Sequence, residues 1–478
     1  MLLNFILICD FGFLILAFIL FFESYFEQEK RAAQIGLGGV AIALIIGLSA
    51  IVKPFLQLPL GIIFGLSLFF AILFCLPWKQ NSRALKGTIG YIVGNVTRFF
   101  EPDSVFARTR SLPEGSDIYK QYYEMRPGQE ERDKERRAKG ILGKPGSIDG
   151  GYRPNLAMLI SADEMPDFLG QYAISEPASG SSPADMDPEK ATQIVKNYAK
   201  HLGADLVGVC KVNPNWIYSH RGEIHHGNWE EWGKEIKDIP PFAIVMVTEM
   251  ARDAVISAPH VPAASESTIN YAKGAYLGTM LAKWLQHMGY RGVAQHTRNY
   301  DVILPPLAVD AGLGEIGRQG YLIAPKFGAR SRVFAVLTDM PLLADKPISL
   351  GVEEFCEKCM KCAESCPSRS IPKGEKTICR GVEKWKLNEE SCYAYWSRVG
   401  TDCAICMAIC PFSRPNSYFH RSIRWLIAHS PLAKSVFPHI DNLIYGKRWK
   451  TKKVPDWLTY PKRSEMEDYP TDLEDLKY

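Results

Sequence analysis

The sequence predicts an α/β core of the α+β kind, with three membrane-crossing helices before it and a cysteine-built metal-binding segment after it. Three observations carry this. The first 78 residues hold three long apolar runs. Between residues 187 and 345, strand-like and helix-like stretches alternate. Nine of the twelve cysteines fall between Cys356 and Cys410, eight of them in two spaced sets with Cys379 between. The chain therefore divides into an anchor (1–78), a lead-in and linker region (79–186), the core (187–345), a cluster domain (346–415) and a C-terminal extension packing on the core (416–478). A net charge of +4 over 478 residues gives no case for a nucleic-acid partner.

The apolar runs cover residues 3–22, 35–52 and 55–78. Each is near the ~20 residues a helix needs to cross the hydrocarbon core. A cleaved signal peptide would want a basic start and no further spans. Residues 1–10 carry no Lys or Arg, two more apolar runs follow, and no twin-arginine pair stands near the start. An uncleaved, multi-pass anchor is expected. Lys30 and Arg31 follow the first run, and Lys79, Arg83, Lys86 and Arg98 follow the third. The link between the second and third runs has only Lys53. The positive-inside rule then puts the bulk of the chain in the cytoplasm. Asp10, inside the first run, reads either as a bundle-facing residue or as a proton or quinone contact.

The lead-in says least. Residues 130–139 (EERDKERRAK) read as a solvated helix, and residues 176–188 as a connector. Order sharpens at Asp187, which can cap a helix that Pro188 opens and Gly203 ends. Buried strands are expected at 205–210, 243–247 and 332–337, and a long helix at about 266–288. On that helix Tyr271, Ala275, Gly278 and Ala282 share one side, a face of small residues that reads first as tight helix packing and otherwise as room for a ligand to approach the backbone. Gly312, Gly314 and Gly317 match G-x-G-x-x-G, but Pro305 and Pro306 precede them and a strand follows. A dinucleotide fingerprint would instead follow a strand and open a helix. These glycines imply a sharp turn or close approach to a ligand.

The cysteines are the most specific signal. Cys356-x2-Cys359-x2-Cys362-x3-Cys366-Pro367 has the spacing of a bacterial cluster run. Cys392 and Cys403-x2-Cys406-x3-Cys410-Pro411 form a second set. Zinc sites use other spacings, so two [4Fe–4S] clusters are expected. In two-cluster proteins the fourth cysteine of a run crosses over. That assigns Cys356, Cys359, Cys362 and Cys410 to one cluster, and Cys366, Cys392, Cys403 and Cys406 to the other. Ten residues separate Cys392 from Cys403, so Cys379 stays open as its alternative.

Taken together, the motifs at 187–210, Asn270-Tyr271 to Gly289-Tyr290, 311–320, 327–332 and 338–342 and the two cysteine sets resemble the corrinoid-dependent reductive dehalogenases. The resemblance spans roughly residues 100–450, and single pieces of it are shared with epoxyqueuosine reductases. It implies a nitroreductase-like core holding a base-off cobamide, clusters that reduce its cobalt, and an organohalide substrate. It also implies a tyrosine that protonates the carbon losing halide. Tyr271 matches that tyrosine. Tyrosine in water keeps its proton to about pH 10, so it needs a cation nearby. Arg330 matches the family's basic partner, with Arg332 its nearest rival. Gly312, Gly314, Gly317, Thr297 and Arg332 are expected at the cofactor, and the small-residue face of the long helix would let a flat macrocycle approach Tyr271. Thr297 stands about where many members carry Asn, with His296 and Asn299 beside it. His225 and His226 are read as loop residues, not metal ligands.

Many respiratory members carry a twin-arginine signal and use a separate membrane protein; here membrane helices begin the chain. The electron donor would be a quinol or a reductase. A membrane-tethered iron–sulfur electron carrier without cobamide, or an epoxyqueuosine-reductase-like enzyme, are the alternative readings.

Overall fold

The structure is a computed structural model, and it describes residues 1–77, 80–139, 153–180, 182–225 and 229–452. His226 and Lys79 lie outside the described residues. Three apolar helices open the chain: α1 (Leu2–Phe26), α2 (Lys30–Val52) and α3 (Gln57–Cys75). All three are long and apolar enough to cross a membrane. The first two start earlier or end later than the apolar runs alone indicate, because helical backbone carries on into the polar turn. α1 and α2 pack through small residues. A Cβ at Gly36 would meet the Phe21 backbone at 2.6 Å, and one at Gly39 would meet Ala17 at 3.0 Å. Such positions let two backbones approach where lipid offers no hydrophobic drive. Asp10 is buried against Gly47 of α2, which is the bundle-facing reading.

The lead-in does more than connect. It forms α4 (Asp117–Glu124), α5 (Gln129–Lys139) and α6 (Arg153–Gly170). α5 is the charge-rich helix, but it is solvated on one side only. Asp133 is fully buried, 3.0 Å from Arg108 and 3.1 Å from Arg136. α6 packs along the long core helix.

The core follows with α7 (Pro188–Leu202), capped by the Asp187 side chain and ended by left-handed Gly203. Five strands make its sheet: β1 (Ile174–Ser175), β2 (Leu206–Lys211), β3 (Phe242–Glu249), β4 (Gly292–Gln295) and, after a hairpin of β5 (Glu315–Ile316) and β6 (Leu322–Ile323), β7 (Ser331–Thr338). The order is β1-β4-β7-β3-β2, and every pairing is antiparallel. The α+β form of the expected class is therefore the one observed. After the four-residue α8 (Arg252–Val255) comes α9 (Val261–His287), which lies with α7 on one face of the sheet. α10 (Leu304–Asp310) covers the other.

α9 begins five residues before the expected 266, since Pro262 is tolerated in a first turn. Its small residues serve the sheet. A Cβ on Gly274 would sit 2.1 Å from the Phe334 ring, one on Gly278 3.0 Å from Ala294, and one on Gly292 of β4 2.7 Å from Ala282. The expectation that this face admits a macrocycle is corrected. Ala275, Gly278 and Ala282 are packed away, and only Tyr271 at its start emerges.

The cysteine segment carries α11 (Val352–Cys359), α12 (Lys361–Ser365), α13 (Glu389–Val399) and α14 (Ile405–Ala408). α15 (Tyr418–His429) and α16 (Pro431–Tyr445) then pack against α11, and α16 also touches α2. Met250, Ile323, Phe355 and Phe412 share one apolar cluster with Cys356 and Cys410, so core and cysteine segment are continuous.

Candidate active site and cysteine centres

Tyr271 leaves α9 where the sheet ends and the cysteine segment begins. It lines two cavities at once. The larger, about 810 Å³, runs between α9, the β4–α10 loop and the lead-in. The smaller, about 340 Å³, runs from Tyr271 to Cys366, Cys392, Cys403 and Cys406. Phe106, Leu304, Val333, Trp396 and Asp402 line both, so the two spaces meet at the phenol.

Arg332 is the cation at this junction. Its guanidinium carbon lies 5.2 Å from the centroid of the Tyr271 ring. Its Nη2 donates to Ser267 Oγ at 2.7 Å and to Asp402 Oδ2 at 3.4 Å. Burial works against its charge, but Tyr271, Asp402 and Tyr321 outweigh that and hold its pKa above the ordinary arginine value. Asp402 is pushed up by burial, opposed by Arg332 and by a 2.5 Å hydrogen bond from Ser267.

Arg330, expected beside the tyrosine, is elsewhere. Its Nη2 is 2.9 Å from Glu249, Nε donates to the Ser413 carbonyl at 2.8 Å, and Nη1 donates to the Met250 carbonyl. None of these partners is Tyr271. Side chains two apart on one strand share a face, but the strand starts at Ser331. A turn at 327–331 precedes it, with Arg330 N–H bonded to Phe327 and Ser331 N–H to Ala329. The alternation does not reach back, and Arg330 braces the cysteine segment.

The three glycines are also corrected. None of them lines the cavities at Tyr271. Gly312 turns at φ +72° with the Lys346 carbonyl 2.4 Å from where a Cβ would be. A Cβ on Gly314 would sit 2.3 Å from the Ile323 carbonyl, and one on Gly317 2.8 Å from the Gln319 side chain. They serve a turn and a hairpin after α10, which is not the setting of a dinucleotide fingerprint.

Thr297 does line the larger cavity, with His296 and Arg298. Asn299 braces the loop by donating to the Ala294 carbonyl at 2.7 Å. Sequence reasoning missed Arg298, which Asp163 (2.9 Å) and Asp167 (2.6 Å) of α6 hold in place. It also missed Phe106 and Arg110, which come from a stretch with no motif, and Asp402, which stands beside Cys403 but is not part of the cysteine spacing. His225, in a loop as expected, lines this cavity 3.8 Å from Glu223; burial pushes its pKa down to about 4.

The eight cysteines sort into two groups of four. Cys356, Cys359, Cys362 and Cys410 line one narrow cavity. Cys366, Cys392, Cys403 and Cys406 line the space that reaches Tyr271. Cys379, on a separate strand (Thr377–Cys379), lines neither. Left-handed backbone at Met360, Cys403 and Ala404 bends the chain between neighbouring thiols. Four inward thiols per group suit thiolate-held iron.

A family model described as a 4Fe-4S dicluster domain matches residues 355–413. The tetrachloroethene reductive dehalogenase of Sulfurospirillum multivorans is 33% identical over 311 residues, 57% of this chain and 60% of that protein. A solved catabolic reductive dehalogenase in complex with 3-bromo-4-hydroxybenzoic acid superposes with a TM-score of 0.59 at 24% identity, covering 77% of this chain and 50% of that one. A further reductive dehalogenase structure, described for B12-dependent dehalogenation, gives a TM-score of 0.58 at 25% identity over 75% of this chain and 49% of that one. The chain thus spans 60% of this curated relative and about half of each solved chain. Over 57% of its length by sequence and about three quarters of it by fold, the chain resembles the reductive dehalogenases.

Proposed function

We propose that the chain is a membrane-anchored reductive dehalogenase, an oxidoreductase that removes halogen from an organohalide. It would use a base-off cobamide fed by two [4Fe–4S] clusters, on a core of nitroreductase-like kinship. The observation that carries this reading is the place of Tyr271, where a chamber large enough for a ligand meets a space lined by four cysteines. Cys356, Cys359, Cys362 and Cys410 would hold one cluster, and Cys366, Cys392, Cys403 and Cys406 the other. The combined cavities would hold the cobamide, with Thr297 and Arg298 in the wall. When bound, that group supplies the low-valent metal chemistry of carbon–halogen reduction.

The protein's own part is protons and charge. The Tyr271 hydroxyl would give its proton to the carbon losing halide, and Arg332 would stabilise the phenolate left behind. Ser267 and Asp402 fix the guanidinium against the ring. Phe106 and Trp396 line the junction with apolar rings.

We further propose that all three helices span the bilayer with the core on the cytoplasmic side. The α1–α2 turn and the end of α3 both touch the soluble part, through Glu27 to His420 and Phe74 to Phe437. Lys30 and Arg31 lie on that side and Lys53 on the other, in keeping with the positive-inside rule.

Metal and corrin content of anaerobically purified protein supplied with cobamide tests the reading. About eight irons and equimolar cobalt support it, with Tyr271→Phe as the inactive control in an organohalide screen. Full iron with no cobalt uptake reduces the chain to a membrane-bound electron carrier.

A further inference from the structure

One large cavity near the cysteines has no part in the chemistry above. It measures about 1550 Å³ and lies where the membrane helices meet the soluble part. Its walls are the last turn of α1 (Ser24, Tyr25), the first turns of α2 (Lys30, Arg31, Ala33, Gln34), the end of α16, and Cys359 with Met360. Those last two residues also line the cavity of the first cysteine group. That group also packs against the second, with Cys362, Cys366 and Cys406 in one cluster. The second group in turn opens to Tyr271. A single line of contacts therefore runs from the membrane surface through both cysteine groups to the reaction chamber.

We propose that this cavity is the electron entrance and that its occupant is a membrane quinol. The inference rests on the two-cluster reading and not on the dehalogenase reading. Three features favour a quinol over a soluble carrier protein. The opening sits at the level of Lys30 and Tyr25, at the ends of membrane-crossing helices, where a lipid-borne molecule arrives by lateral diffusion. Its floor mixes Tyr25, Ala33, Met360, Ile409 and Leu443, suited to a flat ring and the start of an isoprenoid tail. Lys30, Arg31, Lys358, Lys447, Arg448 and Lys450 surround it, a charge that favours the quinol oxygens as they lose protons. Oxidation breaks the two O–H bonds and yields the quinone. The two electrons released would pass to clusters held by the two cysteine groups, and the two protons would leave to water at the charged rim.

The test runs the transfer backwards, so that the outcome does not depend on the donor's potential. The full chain with assembled clusters is placed in phosphatidylcholine–phosphatidylglycerol nanodiscs, reduced with titanium(III), freed of reductant and mixed with a short-chain naphthoquinone. The visible iron–sulfur absorption reports reoxidation. The expected rate saturates with quinone. The fillings Ala33→Trp and Leu443→Trp slow it roughly tenfold at low quinone, as for loss of about 1.4 kcal/mol of binding, and leave ferricyanide oxidation unchanged. A photoreactive naphthoquinone on the unaltered chain should label segments 24–34 or 443–449. A rate linear in quinone and indifferent to both fillings overturns the proposal. So does labelling confined to other segments, or a saturable, salt-sensitive oxidation by an acidic ferredoxin that the fillings block. Absence of the iron–sulfur absorption fails the cluster reading itself and takes this inference with it.

Discussion

Replacing Arg332 and Arg330 in turn separates the two arginines by function. In Arg332→Gln the side chain still reaches Ser267 but carries no charge. The guanidinium carbon lies 5.2 Å from the Tyr271 ring centroid in a buried setting. At that distance and an effective dielectric of about 20, a unit charge stabilises the phenolate by roughly 3 kcal/mol. Losing it should lower kcat by roughly 200-fold and leave cobalt content unchanged. In Arg330→Gln the Ser413 and Met250 carbonyls lose their donors. The folded state should weaken by about 1–3 kcal/mol for those buried acceptors, with kcat per bound cobalt kept within about threefold. The assay is single-turnover dehalogenation normalised to cobalt, with a thermal melt of each variant beside it. If Arg330→Gln lost as much kcat as Arg332→Gln while melting normally, the placement of the cation would be wrong.

Cys392→Ser should drop iron from about eight to about four per chain, whereas Cys379→Ser should leave it unchanged; elemental analysis decides between them. Gly274→Ala should destabilise the core by about 1–3 kcal/mol despite the better helix former, because the new methyl would overlap the Phe334 ring, and a melt in detergent measures it. Glu27 is buried, which raises its pKa, but His420, Arg414 and Arg252 more than reverse this and leave it below the ordinary carboxylate value. A depressed folded pKa means its stabilisation is present above the unfolded carboxylate range and fades as pH falls through the folded value. Acid should therefore loosen the α1–α2 turn from the soluble part, seen as new protease cleavage there, and Glu27→Gln should show that cleavage already near neutral pH.

What could be read from the sequence is what local spacing encodes. Cysteine spacing is local, so the two groups of four were legible as groupings, but it left Cys392 and Cys379 both open, and only the folded chain puts Cys392 beside Cys366, Cys403 and Cys406. Tyr271 was legible as the one large residue on a face of small ones. That packing claims the rest of this face was not, because Gly278 and Ala282 find their partners in β4, at Ala294 and Gly292, beyond the helix itself. Arg330 and Arg332 look alike in a string of letters, and only the turn at 327–331 turns one away from the site. The lead-in was opaque for a similar reason. Arg108 meets Asp133 and Glu390, three residues spread over most of the chain, and no motif records such a meeting.

The α1–α2 turn is held by a buried ion network. Glu29 is paired with Arg414 at 2.8 Å and with Lys452, while Glu27 meets His420 at 2.5 Å. A second hold follows α3, where Asn81 and Arg83 reach Glu353 at 2.8 and 3.5 Å. With two fixings instead of one leash, the rest of the chain is held to the three apolar helices at two places, and in the proposed bilayer setting it would keep one orientation to the lipid. Lengthening the link after α3 should leave its orientation in place, and each chain would search for its reductant in two dimensions at a fixed height.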